Sequence, residues 1–193
     1  MNKTKTKKPV MKKYLLLLTS IVLLLVSCKN ETPKGANGVT YKSAVEYNDY
    51  IVARQTTLMK NIMKFISVAE NDLDSAENML DGYVKETGTM VNEIKGMPAF
   101  KGDSSLRDAA VNIFGFYKKI FDTDYRDVIH LRKEQDGTSQ DIEDRIQAIV
   151  KKIEEEEKGF DARFQSAQKD FARKNKMKLI ENEMQKEMDE KLK

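Results

Sequence analysis

Residues 73–97 read LDSAENMLDGYVKETGTMVNEIKGM. Leu73, Ala76, Leu80, Tyr83, Thr87, Met90, Ile94 and Met97 follow one another here at alternating steps of three and four. That spacing holds an apolar stripe on one side of a helix and presses it against a partner helix. Gly96, Pro98 and Gly102 close the pattern and predict a turn.

The same reading extends in both directions. Upstream, Ser43-Ala44-Val45-Glu46 matches a capping box, in which the serine oxygen and the glutamate carboxylate satisfy backbone donors at a helix start. Ala44, Tyr47, Ile51, Leu58, Ile62, Phe65 and Ala69 then share a face, interrupted by Gln55. Downstream, a third helix starts near Asp103-Ser104-Ser105, with Leu106, Ala110, Ile113, Tyr117, Ile120, Val128 and Leu131 as its stripe. Phe114, Phe116 and Phe121 widen it. Asp136-Gly137 signals a turn, and Thr138 or Ser139 caps a fourth helix carrying Ile142, Ile146, Ile149, Ile153, Phe160, Phe164, Ala167 and Phe171. Gly159 within it costs about 1 kcal/mol relative to alanine. No alternating Val/Ile/Thr-rich strand occurs. The sequence therefore predicts an all-α chain, an up-down four-helix bundle over residues 42–175.

The apolar pattern runs on through Met177, Ile180, Met184, Met188 and Leu192. It predicts a long, overhanging C-terminal helix, with residues 176–193 as a charged amphipathic tail. Such a tail offers a surface for self-association, or frays into solvent; the pattern serves both.

The N-terminal region has a different character. Residues 1–13 are basic, and residues 14–26 (YLLLLTSIVLLLV) are apolar. Thirteen residues suit the hydrophobic core of an export signal but fall short of the roughly 20 needed to span a bilayer. Met1 and Met11 both serve as starts for this reading. The stretch ends in Leu25-Val26-Ser27-Cys28, which resembles the lipobox of bacterial lipoproteins. That resemblance implies cleavage between Ser27 and Cys28 and acylation of Cys28, with residues 1–27 as signal peptide. Each buried methylene contributes roughly 0.8 kcal/mol, so two or three acyl chains anchor firmly in a membrane. Lys29 at the position after the cysteine points to the outer membrane, and Lys29-Asn30-Glu31 is a weak cue for the cell surface. Pro33, Gly35, Asn37 and Gly38 mark residues 28–41 as a lipidated cysteine with a flexible tether.

Composition agrees with long helices: 34% of residues are charged, 40% are hydrophobic, and there are only 3 prolines. The net charge of +3 is owed to six lysines among residues 1–27; without them, 28 basic residues face 31 acidic ones. With bases and acids interspersed and no basic groove with stacking aromatics, nucleic acid is not an expected partner. The one cysteine excludes a disulfide framework and a cysteine-built zinc site.

Several segments of the domain resemble a family of bacterial surface lipoproteins with an all-helical domain. They are Tyr47-Asn48-Asp49-Tyr50-Ile51-Val52 with Gln55, Gly102-Asp103 through Leu106-Arg107-Asp108-Ala109-Ala110, Phe116-Tyr117-Lys118, and Phe160-Asp161 through Phe164-Gln165, Ala167-Gln168 and Phe171-Ala172-Arg173-Lys174-Asn175. The likeness spans roughly residues 40–180. It implies a helical fold and an envelope location, and it carries no activity.

Chemistry-bearing groups are sparse. His130 is the single histidine; Asp127 lies one turn before it, a spacing found at metal sites and equally on helix surfaces. Di-iron bundles require a second histidine and facing glutamate pairs. Glu154–Glu157 reads as a solvated helix face, with cation binding as the alternative; consecutive residues on a helix point in different directions. Gln55, Asn48, Gln165 and Gln168 sit beside apolar stripes, where they fix register or line a ligand slot. Phe114, Phe116, Tyr117, Phe121, Phe160, Phe164 and Phe171 form core, or a pocket between the third and fourth helices. No catalytic residue, cofactor site or metal site is expected. The sequence thus predicts a lipid-anchored, non-enzymatic helical module that binds a protein partner in the cell envelope, or one that carries a small apolar ligand or lipid between its helices.

Overall fold

The computed structural model describes residues 33–134 and 139–180, all within one unit, Glu31–Lys193. Cys28, Ser27, the signal segment and residues 181–193 lie outside the described residues. The fold is all-α: α1 spans Ala44–Ala69, α2 Leu73–Lys95, α3 Ser105–Lys119, α4 Tyr125–Glu134 and α5 Gln140–Lys174. A π-helical turn, Ile120–Asp124, joins α3 to α4 without a break, so the third helix expected from the sequence is α3, the turn and α4 in series.

Polar cross-links give the sense of each packing pair. Arg54 of α1 binds Glu93 of α2 at 2.8 Å, and Asn61 binds Glu86 at 2.8 Å. Residue numbers rise along one helix as they fall along the other, so α1 and α2 are antiparallel. Arg126 with Asp81 and His130 with Glu77 set α4 antiparallel to α2. Lys119 with Glu156 and Lys152 with Asp124 set α5 antiparallel to α3 and the π turn. Helices α1 and α5 meet through a ring stack of Tyr47 on Phe171 (centroids 5.4 Å apart) and through Gln168 Nε2, which donates to Asn48 Oδ1 at 2.8 Å.

The stripes account for the core. Ala76, Leu80, Tyr83, Thr87, Met90 and Ile94 of α2 are all buried, as the alternating steps require, while Leu73 is half-buried. Tyr47, Ile51, Leu58, Ile62 and Phe65 of α1 are buried too, joined by Asn48 and Met59. At the start of α1 the Ser43 hydroxyl accepts from Glu46 N–H at 3.1 Å, as expected; the Glu46 carboxylate reaches one residue further back than a capping box does, taking the Lys42 N–H at 2.8 Å. Helix α2 is capped by Asp72, which accepts from the Ser75 N–H at 2.9 Å.

Two expectations are corrected. Residues 33–41 are not a tether. Gly35, Asn37 and Tyr41 fold against the C-terminus of α2: Asn37 N–H donates to Gly96 O at 3.1 Å, Asn37 Nδ2 to Glu93 O at 3.1 Å, and Tyr41 is 1% exposed. A Cβ on Gly35 would sit 2.6 Å from Gly96 O, so only glycine allows this approach. Nor does α5 continue past residue 174. Lys176 turns left-handed (φ 53°), Met177 N–H bonds Ala172 O at 2.8 Å, and Lys176 N–H bonds Arg173 O at 3.3 Å. This is a Schellman stop. Met177 is drawn onto the core rather than onto a continuing stripe. Among the described residues no helix is long and apolar enough to cross a membrane.

Candidate functional site

The apolar interior is discontinuous. A main core runs from Tyr41 to Phe171, and a separate small cluster of Leu131, Ile142 and Ile146 joins α4 to the start of α5. Against the main core, with Val128 reaching it from beside the small cluster, lies a cavity of 320 Å³. Its walls come from the C-terminal half of α1 (Met59, Ile62, Phe65, Ile66, Ala69), from the start of α2 (Leu73), from the π turn and α4, and from Val150 and Ile153 of α5. In this stretch α5 packs on α4 and leaves the facing side of α1 uncovered. Ile66 and Val150 are accordingly 36% and 42% exposed, two of the few large apolar side chains so exposed among the described residues.

The π turn shapes the cavity. Its closing bond runs from Tyr125 N–H to Ile120 O, one residue wider than an α-turn. The extra residue rotates the chain, buries Phe121 and Asp124, and brings Tyr125 onto Phe65, ring on ring at 4.6 Å. Asp124 is compensated by Lys152 at 3.1 Å. Asp124 falls on the expected stripe, four residues after Ile120 and four before Val128, but an acid there gives no apolar signal; Tyr125 escaped because a straight helix turns it off the stripe.

The polar groups of the cavity are Tyr117, Tyr125, Arg132, Glu70, Glu154 and Glu157. The Tyr117 hydroxyl donates to Glu157 Oε1. Burial, with the Glu157 charge second, pushes the Tyr117 phenol far up from its ordinary value; the same causes push Tyr125 up to about 12. Both tyrosines therefore stay neutral, and Tyr117 remains a donor to the carboxylate.

The residues singled out by sequence are dispersed. His130 is exposed and pairs with Glu77 of α2 at 3.0 Å rather than with Asp127. Lys133, then His130, holds the Glu77 carboxyl below its ordinary value. Among the described residues no group of three histidines, cysteines or acids is placed to hold a metal ion. Of the run Glu154–Glu157, Glu156 binds Lys119 at 2.9 Å and Glu155 approaches Lys151 at 4.0 Å, whereas Glu154 and Glu157 line the cavity. The run is thus only partly a solvated face. Asn48 and Gln168 satisfy one another at the far end of the fold, and Gln165 bonds Asp161 on the surface at 2.7 Å. Gln55 is half-buried, and none of the four lines the cavity. Phe114, Phe116, Phe121, Phe164 and Phe171 are core, with Phe160 stacked on Phe116 at 4.8 Å; of the aromatic set only Tyr117 reaches the cavity. The cavity is therefore not the aromatic pocket expected between the third and fourth helices, and α1 supplies much of its wall. The sequence signal for it was Ile66 and Val150, apolar residues off their helices' main stripes.

Comparison with protein-family models, with curated proteins and with solved structures gave no match, so the likeness to helical surface lipoproteins rests on its sequence segments alone.

Proposed function

We propose that this chain is a lipid-anchored binding module of the bacterial cell envelope that takes an apolar ligand into the cavity between α1, α4 and α5, with no catalysis. The observation that carries the reading is the cavity itself. Its volume of 320 Å³ falls at the lower end of ligand-pocket sizes, roughly 300–1,000 Å³, and its walls are mostly aliphatic and aromatic with a few polar groups, as such pockets are. The order of basic segment, apolar segment and lipobox supports the anchor, with Cys28 as the acylated residue, the outer membrane as its location and the cell surface as one of the faces open to it.

A protein partner, the first expectation from sequence, takes second place. Ile66 and Val150, the exposed apolar side chains it would use, border the cavity instead of forming a face of their own. The neutral fluorophore N-phenyl-1-naphthylamine tests the binding reading. It should gain fluorescence saturably with the wild-type protein. It should lose that gain with Ile153→Trp, which fills the cavity, and keep it with Val45→Trp, an exposed apolar site elsewhere. Equal signals from the three proteins would refute the reading. Incorporation of labelled palmitate in cells, abolished by Cys28→Ala, checks the anchor.

A further inference from the structure

Glu157 differs from five other sheltered carboxylates of this fold. Glu77, Glu93, Asp103, Asp124 and Glu156 are also buried or half-buried, and each is paired with a lysine or arginine. Glu157 makes no ion pair among the described residues; its hydrogen-bond partner is the neutral Tyr117 hydroxyl. A carboxylate drawn out of water without a counter-cation is costly, and the cost is relieved by a cation from outside. Glu154 and Glu70 lie on the same cavity and also make no ion pair.

The one cationic side chain on the cavity, Arg132, is exposed and makes no ion pair with these acids. Glu70 and Glu154 are exposed as well, so Glu157 is the sheltered charge among the lining residues. The remaining walls, Ile62, Phe65 and Ile153 among them, offer only apolar contact.

Resting on the cavity as the binding site, we infer that its ligand is a lipophilic amine: a protonated ammonium head held at Glu157, and a single hydrocarbon tail laid against α1. Arg132 would draw an anionic head instead. It sits in solvent, however, where screening weakens it, whereas Glu157 acts from a sheltered position with lower effective dielectric.

Three ligands with one tail and different heads decide the matter: decylamine, decan-1-ol and decanoate. Each is used below its micelle concentration at neutral pH to displace N-phenyl-1-naphthylamine. Decylamine should bind about tenfold more tightly than decanol, the size of one charge-assisted hydrogen bond, and decanoate most weakly. Glu157→Gln keeps an acceptor for Tyr117 and removes the charge. It should bring decylamine close to the affinity of decanol, and weaken decanol much less. Equal binding of the three by wild type, or a preference for decanoate, overturns the amine assignment while leaving the cavity as a binding site. Failure of the fluorophore itself to bind overturns both. The ligand series on wild-type protein is decisive even if Glu157→Gln fails to fold.

Discussion

At the scale of single residues, Thr87 shows what an apolar stripe tolerates. It occupies a stripe position in the middle of α2, is fully buried, and its hydroxyl has no hydrogen-bond partner. Asn48 at the other buried polar position of the helical core is satisfied by Gln168, and Asp124 by Lys152. Among the described residues Thr87 alone has a buried side-chain polar atom without a partner. Valine has the same shape without the hydroxyl, so Thr87→Val should raise stability by about 1 kcal/mol. The check is a higher urea midpoint at an unchanged denaturant slope, which separates a folded-state gain from an altered unfolded state. The matching loss falls on the satisfied pair. Gln168→Leu leaves Asn48 buried without its donor and should cost about 1–2 kcal/mol, most of it recovered when Asn48→Leu is added. A double-mutant urea series reads that recovery directly; additive losses would mean that the two side chains act independently.

At the scale of elements, the stripes were the legible part. Steps of three and four placed the buried faces of α1 and α2 residue by residue, because a regular helix carries its periodicity in the sequence. What escaped were departures from regularity. The π turn at Ile120–Asp124 adds one residue to a turn, and nothing in Ile-Phe-Asp-Thr-Asp announces it; Tyr125 and the cavity escaped with it. The stop after Lys174 was hidden for a related reason. Met177 keeps the apolar spacing, yet it serves the Schellman contact rather than a further turn of helix. Residues 33–41 read as flexible because glycine and asparagine favour turns, and turns fold tightly wherever they find partners. Here the partner is the end of α2. Gly35→Ala would drive a Cβ to within 2.6 Å of Gly96 O and 2.8 Å of Pro98 Cδ, backbone and ring that yield little. The substitution should release this segment at a cost of about 1–3 kcal/mol. Faster amide exchange at Asn37, Gly38 and Val39, with the middle of α2 still protected, is the expected signature; unchanged exchange there would show that the segment is held by something other than this close approach.

Across the whole molecule, titratable groups set a window of stability with an acid and an alkaline edge. On the acid side, Asp103 ties the start of α3 to the end of α5: Lys174 Nζ donates to it at 2.6 Å, and the Ser105 N–H and hydroxyl add bonds at 2.9 and 2.6 Å. Lys174 first, then Ser105, holds the carboxyl well below the usual range. A depressed folded value means that the unfolded chain takes up the proton first. This stabilisation is present above about pH 4 and disappears as the pH falls towards the folded value. Asp103→Asn should therefore lose less of its urea midpoint between neutral and acid pH than wild type does. The alkaline edge belongs to the tyrosines. Burial raises Tyr41 and Tyr125 to about 12, and raises Tyr47, Tyr83 and Tyr117 as well. They belong to different parts of the fold: Tyr41 and Tyr47 pack together beside Pro98 and Phe100, Tyr83 meets Phe121, and Tyr117 and Tyr125 line the cavity. For a phenol raised in the folded state, the contribution to stability is complete below about pH 10 and is lost as the pH climbs through the folded value. Ionisation is thus delayed and then cooperative, since the first buried phenolate to form in either region favours unfolding of the packing that held the others neutral. Phenolate absorbance followed against pH, with helicity measured in parallel, should show most of the tyrosine signal appearing together with the loss of helix. A smooth titration centred near pH 10 with the helices intact would mean that these side chains meet water far more freely than their burial allows.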